Sequence, residues 1–534
     1  MTSLTGTRTL IRLALRRDRI ILPIWIYAYL IIAYANPVSI HKLYATQAAL
    51  DAAANGIGTD PALTALAGPP VDLTSLGGFS AWKFVLFAAL GAALMSILTI
   101  TRHTRAEEET GRQELLGAGI LGRKAPLTAA VTLALTANLA LGIVTAIGAT
   151  VGGTPLTGSI AYGTSITAAG WAFTGIAALT AQLSQSARTC TGIAITVLGA
   201  SYVLRVIGDT AGPNGPHWLT WTNPIGWTLN FHPYSDPRWW ILAPAIATTI
   251  ACTALGYTLT NHRDLAAGLL ADRPGPTTAP PRLRTPLALA TRLHLGLFTA
   301  WALGFALAGF ALGTITNSIG SIINSSPQVA KALTQLGGQT GLTNAYLAAI
   351  LTLTGMIAAI YTVQATLRLR AEETSGRIEP LLATRVSRTR LATSHLTYAF
   401  GGTLLLLAIV GVTTGLGAGL STHHLASQLG NDLTAALLQT PAAWILAGIA
   451  IAIIGLLPGY STAAWGAVAI VILITELGPI LGLDHWAMDL SPFTHLPKLP
   501  GGTITATPII WLIAITAALT ATGLTAFRRR DITT

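Results

Sequence analysis

The sequence predicts an all-α polytopic membrane protein of about 12 transmembrane helices, arranged as two parallel six-helix repeats. The composition is the first reason. Only 10% of the 534 residues are charged and 52% are hydrophobic, where soluble domains carry about 25% charge. Such a chain lacks the polar residues to cover its own surface in water. The second reason is the grouping of the apolar residues into stretches of about 16–28, against roughly 20 helical residues needed to cross a bilayer. The third is a repeat. Arg105-Ala-Glu-Glu-Glu-Thr-Gly-Arg-Gln-Glu-Leu-Leu116 returns 265 residues later as Arg370-Ala-Glu-Glu-Thr-Ser-Gly-Arg-Ile-Glu-Pro-Leu381, with eight of twelve positions identical.

In chain order the spans are predicted at about 20–35, 82–101, 127–150, 160–183, 189–207, 239–260, 293–315, 346–367, 392–419, 442–457, 461–483 and 506–527. No water is present at membrane depth to satisfy backbone amides, so each is read as a helix. Before the first span, Thr9 to Arg19 clusters leucines and arginines as an amphipathic interfacial helix does; Pro286 to Leu295 is its weaker counterpart in the second half. No small-residue cleavage site follows Ile20–Ala35, so that stretch reads as a span and not a signal peptide. Asp60-Pro61 and Ser326-Pro327 in the loops after spans 1 and 7 each predict an N-cap, a first-turn proline and a short helix.

The repeat extends past the charged phrase. Span 6 ends in Asn261-His262-Arg263-Asp264 and span 12 in Arg528-Arg529-Arg530-Asp531. The preceding loops hold Asn223-Pro224-Ile225-Gly226-Trp227 and Ser491-Pro492-Phe493-Thr494-His495. Six spans per half is even, so both halves share one orientation. The predicted organisation is residues 1–264 as the first half, with a charged island near 105–116. A Pro-rich cytoplasmic linker follows over 265–290. Residues 291–534 form the second half, with its island near 370–382.

Orientation follows from the basic residues. Cytoplasmic termini place 25 of the 31 lysines and arginines on the inner side, as the positive-inside rule requires. The formal charge of +11 is therefore a topology signal. Nucleic-acid binding, the other reading of a basic chain, is excluded because the basic residues flank spans. The excess of arginine over lysine and the abundance of Ala, Thr and Gly suit a high-GC bacterium, which implies the bacterial plasma membrane as the location. Cys190 and Cys252 lie in apolar stretches and suggest neither disulfide nor metal site.

Each island is expected to form a short cytoplasmic helix. Glu108 with Arg112, and Glu373 with Arg377, are spaced i,i+4 with the acid first. Glu107 and Glu114 share a face, as do Glu372 and Glu379, and a Leu-Leu tip follows. Pro380 replaces Leu115 and should break or restart the second helix. A cytoplasmic Glu-x-x-x-Gly-Arg-x-Glu-x-Leu helix between spans 2 and 3 resembles the coupling helix of type-2 ATP-binding-cassette exporter permeases. The six-span halves and the N-terminal amphipathic helix are similar to the antibiotic-exporter permeases of actinobacteria, including the tetronasin-type group. The resemblance implies that Glu107, Glu108, Arg112 and Glu114, and Glu372, Glu373, Arg377 and Glu379, dock two copies of a separately made ATPase. That partner would bind ATP and Mg; this chain would need no cofactor of its own. Pro380 departs from the pattern and puts equal coupling by the two halves in doubt.

The chain itself is expected not to be an enzyme. Gly117 to Lys124 misses the ending of a phosphate-binding loop, and Leu336-Gly-Gly-Gln339 sits in an outer loop. Few ionisable residues fall within spans, where they mark function by default. Arg205 and Glu476 occupy equivalent positions of the two halves and suggest an outer gate; a snorkelling arginine is the plainer alternative. Candidate pathway residues are Phe84, Phe87, Met95, Tyr202, Tyr346, Met356, Tyr361 and Trp465, aromatic and thioether side chains that suit a hydrophobic or amphiphilic cargo or simply pack helices. His423-His424 has no further ligand at metal-binding spacing. The function these features predict is the membrane part of an ATP-driven exporter of an antibiotic, toxin or lipid-like compound. The alternatives are a proton-coupled 6+6 antiporter, against which the scarcity of membrane carboxylates counts, and a non-transporting assembly protein.

Overall fold

A computed structural model describes residues 3–57, 61–113, 119, 121–210, 215–264, 267–270, 277–316, 342–481 and 484–531. The chain is 79% helical, with no strand among the described residues. It divides into two compact units, Met1–Gly275 and Pro276–Thr534.

The first unit comprises α1 (Thr7–Arg17), α2 (Ile21–Leu43), α3 (Gln47–Ile57), α4 (Pro61–Ala67), α5 (Leu76–His103), α6 (Arg105–Glu109), α7 (Ala125–Val151), α8 (Leu156–Thr180), α9 (Ala187–Thr210), α10 (Trp218–Trp221), α11 (Pro224–Leu229) and α12 (Leu242–Asn261). The second comprises α13 (Pro286–Thr314), α14 (Leu342–Thr374), α15 (Glu379–Leu382), α16 (Arg388–Thr422), α17 (Leu425–Leu437), α18 (Thr440–Leu456), α19 (Ala463–Leu481), α20 (His485–Met488) and α21 (Ala506–Arg529).

Ten helices among the described residues are long and apolar enough to cross a membrane. Of the other two expected spans, 461–483 is helical over Ala463–Leu481, its far end lying outside the described residues, and 160–183 is helical but does not meet that standard. In α8 the cause is polarity: Gly, Ser and Thr recur along its length and most of it is buried. A helix enclosed by other helices needs small side chains more than apolar ones. Packing at α8 shows why. A Cβ on Gly163 would lie 2.1 Å from the Gly142 carbonyl oxygen of α7, so these two backbones approach as closely as they do only without side chains. Asn138 Nδ2 donates to Ser96 Oγ at 2.8 Å, and Ser96 Oγ donates to the Gly170 carbonyl at 2.9 Å. That chain of donors joins α7, α5 and α8 through their polar residues. In the second unit Gly455 of α18 and Gly523 of α21 make another such close approach, a Cβ on Gly455 meeting the Gly523 carbonyl at 2.3 Å.

Helix starts follow their capping residues. Ser75 accepts from the Gly78 amide at 3.0 Å, Thr285 from Ala288 at 3.2 Å and Ser387 from Arg390 at 3.2 Å. The first-turn proline at Pro61 begins a short helix; Asp60 and the Ser326–Leu333 counterpart lie outside the described residues. One expectation is corrected. Pro286–Leu295 is not a separate interfacial helix but the first part of α13, which runs unbroken to Thr314. In the first unit α1 and α2 are parted at Asp18, whose buried carboxylate turns away to His103 at 2.6 Å and Arg102 at 3.2 Å. Burial alone would push that carboxyl up, but His103 and the two arginines Arg102 and Arg17 hold it below its ordinary value. No carboxylate stands from Leu293 to Phe298, and His294, which meets His395 at 3.0 Å, does so without interrupting the helix.

Candidate functional site

Each island begins as the extension of a long helix. In the first unit α5 ends at His103 and α6 follows after a break at Thr104; in the second, α14 runs without a break through Arg370 to Thr374. Both extensions stop at the same glycine of the repeat. Gly111 and Gly376 each have φ +70, a left-handed conformation that ends a helix at little cost only without a Cβ. Their amides close on Glu108 and Glu373 carbonyls at 3.0 Å.

This turn changes the expected pairing. Arg112 and Arg377 lie beyond the helix end, so they do not meet the acid four residues before them. Arg112 reaches Glu107 at 3.7 Å, and Arg377 reaches Glu372 at 3.2 Å. Glu107 is also paired with Arg17 of α1, which ties the N-terminal amphipathic helix to the island.

Glu108 and Glu373 turn inward. Arg105, fully buried, donates Nη1 to Glu108 Oε2 at 2.8 Å and to the Ala267 carbonyl at 2.9 Å, and its Nε to the Ala181 carbonyl. From the end of α12, Arg263 grips the same carboxylate with both terminal nitrogens, at 2.6 and 2.8 Å. The second unit repeats the arrangement. Arg370 pairs with Glu373 at 2.9 Å, and Arg530, just past α21, donates to it at 2.7 Å. A further arginine braces each end. Arg123 donates to the Thr260 and Arg263 carbonyls at 3.1 and 2.6 Å. Arg388 donates to the Arg528 carbonyl at 3.3 Å and to the Arg530 carbonyl. Arg123 and Arg388 are themselves 265 residues apart. That register was the available sign that they belong to the repeat, and reading the islands alone passes over it.

The islands therefore have an inner and an outer part. Glu108, Glu372 and Glu373 are buried, and Glu107 is half-buried. What faces outward is Glu109, Thr110 and Arg112 in the first copy, and Ser375, Arg377, Glu379 and Pro380 in the second. The arginines are 56% and 62% exposed. Pro380 sits in the first turn of α15, where the helix restarts at Glu379. Glu114 and the first Leu-Leu tip lie outside the described residues.

The other candidates divide clearly. Met95, Met356 and Tyr361 are packed in helix cores, Tyr361 donating to the Tyr398 carbonyl at 2.9 Å. Phe87 and Trp465 are exposed, Phe84 partly so. Tyr202 packs its ring 4.7 Å from the Arg205 guanidinium. Arg205 is wholly buried and finds its counter-charge four residues on, at Asp209, 3.6 Å away; it also donates to the Thr64 carbonyl at 3.1 Å. Asp209 was not singled out from the sequence. Glu476 and Tyr346 line a cavity of the second unit. Asp432 was also passed over: it is fully buried in α17 and neither carboxylate oxygen has a hydrogen-bond partner. Among the described residues no group of three or more His, Cys, Asp or Glu is placed to hold a metal.

A multi-pass helical chain whose two halves carry one charged cluster each has the architecture of a membrane transport protein. Comparison with known proteins gives the class: a family profile described as the C-terminal domain of the multidrug efflux system permease Rv1217c matches residues 283–528. The multidrug efflux system permease protein Rv1217c of Mycobacterium tuberculosis is 41% identical over 529 residues, 99% of this chain and 95% of that protein. The chain belongs to this family of multidrug efflux permeases.

Proposed function

We propose that this chain is the membrane part of an ATP-driven exporter in the bacterial plasma membrane, with both termini cytoplasmic. It carries no ATPase of its own and supplies both membrane halves to two copies of a separate ATPase subunit. Its cargo is a hydrophobic or amphiphilic compound. The observation that carries the reading is the duplicated Arg–Glu–Arg cluster. In each half a buried carboxylate locks the island to the end of the last span, while Arg112 and Arg377 at the tip beyond it stay exposed. A force applied to the tip by a partner is thereby delivered to two spans at once, because buried ion pairs yield far less readily than a solvated loop. A secondary transporter has no need for a braced, exposed charged tip in each half.

Asp432 favours a second reading. A buried carboxyl without a partner is costly when ionised, and it suits a proton-coupled antiporter. One experiment separates the two. The chain is reconstituted with and without an ATPase that co-purifies with it, and transport is followed under ATP and under a pH gradient. We expect ATP-dependent transport that survives collapse of the proton gradient and that Asp432→Asn retains. Transport by the chain alone, driven by pH and abolished in Asp432→Asn, would replace the exporter by the antiporter.

A further inference from the structure

We propose that the second half holds a binding site for an organic ammonium ion with an apolar body, built on Glu476 and Gln439. That this ligand is exported cargo rests on the exporter reading; the site itself does not.

A cavity of about 280 Å³ opens beside the first turns of α14, at the opposite end of that helix from the charged island. Tyr346, Ile350, Leu353, Met488, Phe493 and Leu496 give it an apolar wall. Most of its polar groups are already satisfied. The Tyr346 hydroxyl donates to the Leu312 carbonyl at 3.0 Å. Thr475 Oγ1 donates to the Val471 carbonyl at 2.8 Å and meets Ser491 Oγ at 2.6 Å. Thr494 Oγ1 donates to the Met488 and Ser491 carbonyls at 2.9 and 2.7 Å. Lys498 is exposed at the rim.

Two acceptors are left over. Gln439 is 2% exposed and its Oε1 has no hydrogen-bond partner. It sits where α17 gives way to α18, against Gly355 of α14, where an added Cβ would come within 2.7 Å of the Gln439 Cβ. Half-buried Glu476 lines the same cavity and makes no hydrogen bond or ion pair among the described residues. A buried acceptor without a donor is destabilising. The ligand that repairs both deficits is a cation bearing N–H donors. Tyr346 and Phe493 line the cavity with the aromatic groups that suit an apolar body and a cation, and Met488 adapts to varied shapes. An anion would meet the Glu476 charge, and an apolar compound without donors would leave both acceptors unpaired. The volume lies just below that of most ligand pockets, roughly 300–1,000 Å³, so the cavity takes the ammonium head and about one ring.

The test is equilibrium binding to the full chain in lipid nanodiscs, with no nucleotide and no partner. The probes are a dansyl-labelled alkylamine and its uncharged alcohol counterpart. Wild type is expected to bind the amine saturably and at least about tenfold tighter than the alcohol. Glu476→Gln should weaken the amine by about tenfold and leave the alcohol unchanged, Glu476→Asp should largely restore it, and Phe493→Ala should weaken both. Equal amine affinity in wild type and Glu476→Gln overturns the proposal. Should Glu476→Gln not fold, equal affinity of wild type for amine and alcohol overturns it as well. Failure of ATP to drive transport in the assembled complex bears on the exporter reading alone, because this binding needs no ATP.

Discussion

Arg263 holds Glu108 through two parallel hydrogen bonds across 155 residues of sequence, and Arg530 holds Glu373 through one across 157. Each bond joins the end of a half's second membrane helix to the end of its last. Bidentate arginine–carboxylate geometry is directional as well as strong. The pair therefore fixes where the exposed tip stands, and several expectations depend on it.

Removing the buried acid should destabilise each half. Glu108→Ala leaves Arg105 and Arg263 uncompensated, and breaking a buried pair costs about 3–5 kcal/mol. Glu373→Ala should behave alike. Glu107→Ala, whose partners are partly exposed, should cost only about 1 kcal/mol or less. Thermal unfolding of the detergent-solubilised chain, followed by size-exclusion, measures all three. Equal effects at Glu107 and Glu108 would remove the distinction between inner and outer parts.

Charge reversal on the tip should have the opposite profile. Glu379→Arg is exposed and should leave thermal stability within about 0.5 kcal/mol, yet weaken pull-down of the ATPase and transport. Arg377→Glu tests the same surface from the other sign. Wild-type pull-down and transport in both variants would mean that the tip is a solvated turn and not a dock.

Acid should release the N-terminal helix. The Asp18 carboxyl is held below its ordinary value by His103, Arg102 and Arg17. A depressed carboxyl contributes stability that is complete above its unfolded value, about 3.9, and is lost as pH falls through the folded value. Hydrogen exchange of residues 7–17 should rise below about pH 4 and be high already at neutral pH in Asp18→Asn. Exchange in Asp18→Asn equal to wild type at pH 7 would show that α1 is held by its apolar face alone.

The α7–α8 approach should tolerate no side chain. A Cβ on Gly163 meets backbone at 2.1 Å, so Gly163→Ala must part the helices, an overpacking that costs about 1–3 kcal/mol. Gly192→Ala, with open space around it, should be neutral or slightly stabilising. The thermal midpoints of the two variants decide the matter.

The sequence alone determined the membrane class, the helical content and the doubled charged phrase, because each rests on local quantities: hydropathy, span length and identity between distant segments. It also marked Gly111 and Gly376 as equivalent, without saying that both turn left-handed. Three-dimensional packing decided the rest. The i,i+4 spacing expected between Glu108 and Arg112 assumed a helix that the glycine ends, so the arginines chose Glu107 and Glu372 instead. Whether an acid points outward or into a cluster depends on which cations other helices bring to it. Arg263 and Arg530 come from more than 150 residues away, and no periodicity encodes that. The same holds for Asp209 beside Arg205, for Asp432 in its apolar surroundings and for the two unpaired acceptors at Gln439 and Glu476. Burial and partnership are properties of assembled helices, and a single chain of letters carries only the residues that will meet there.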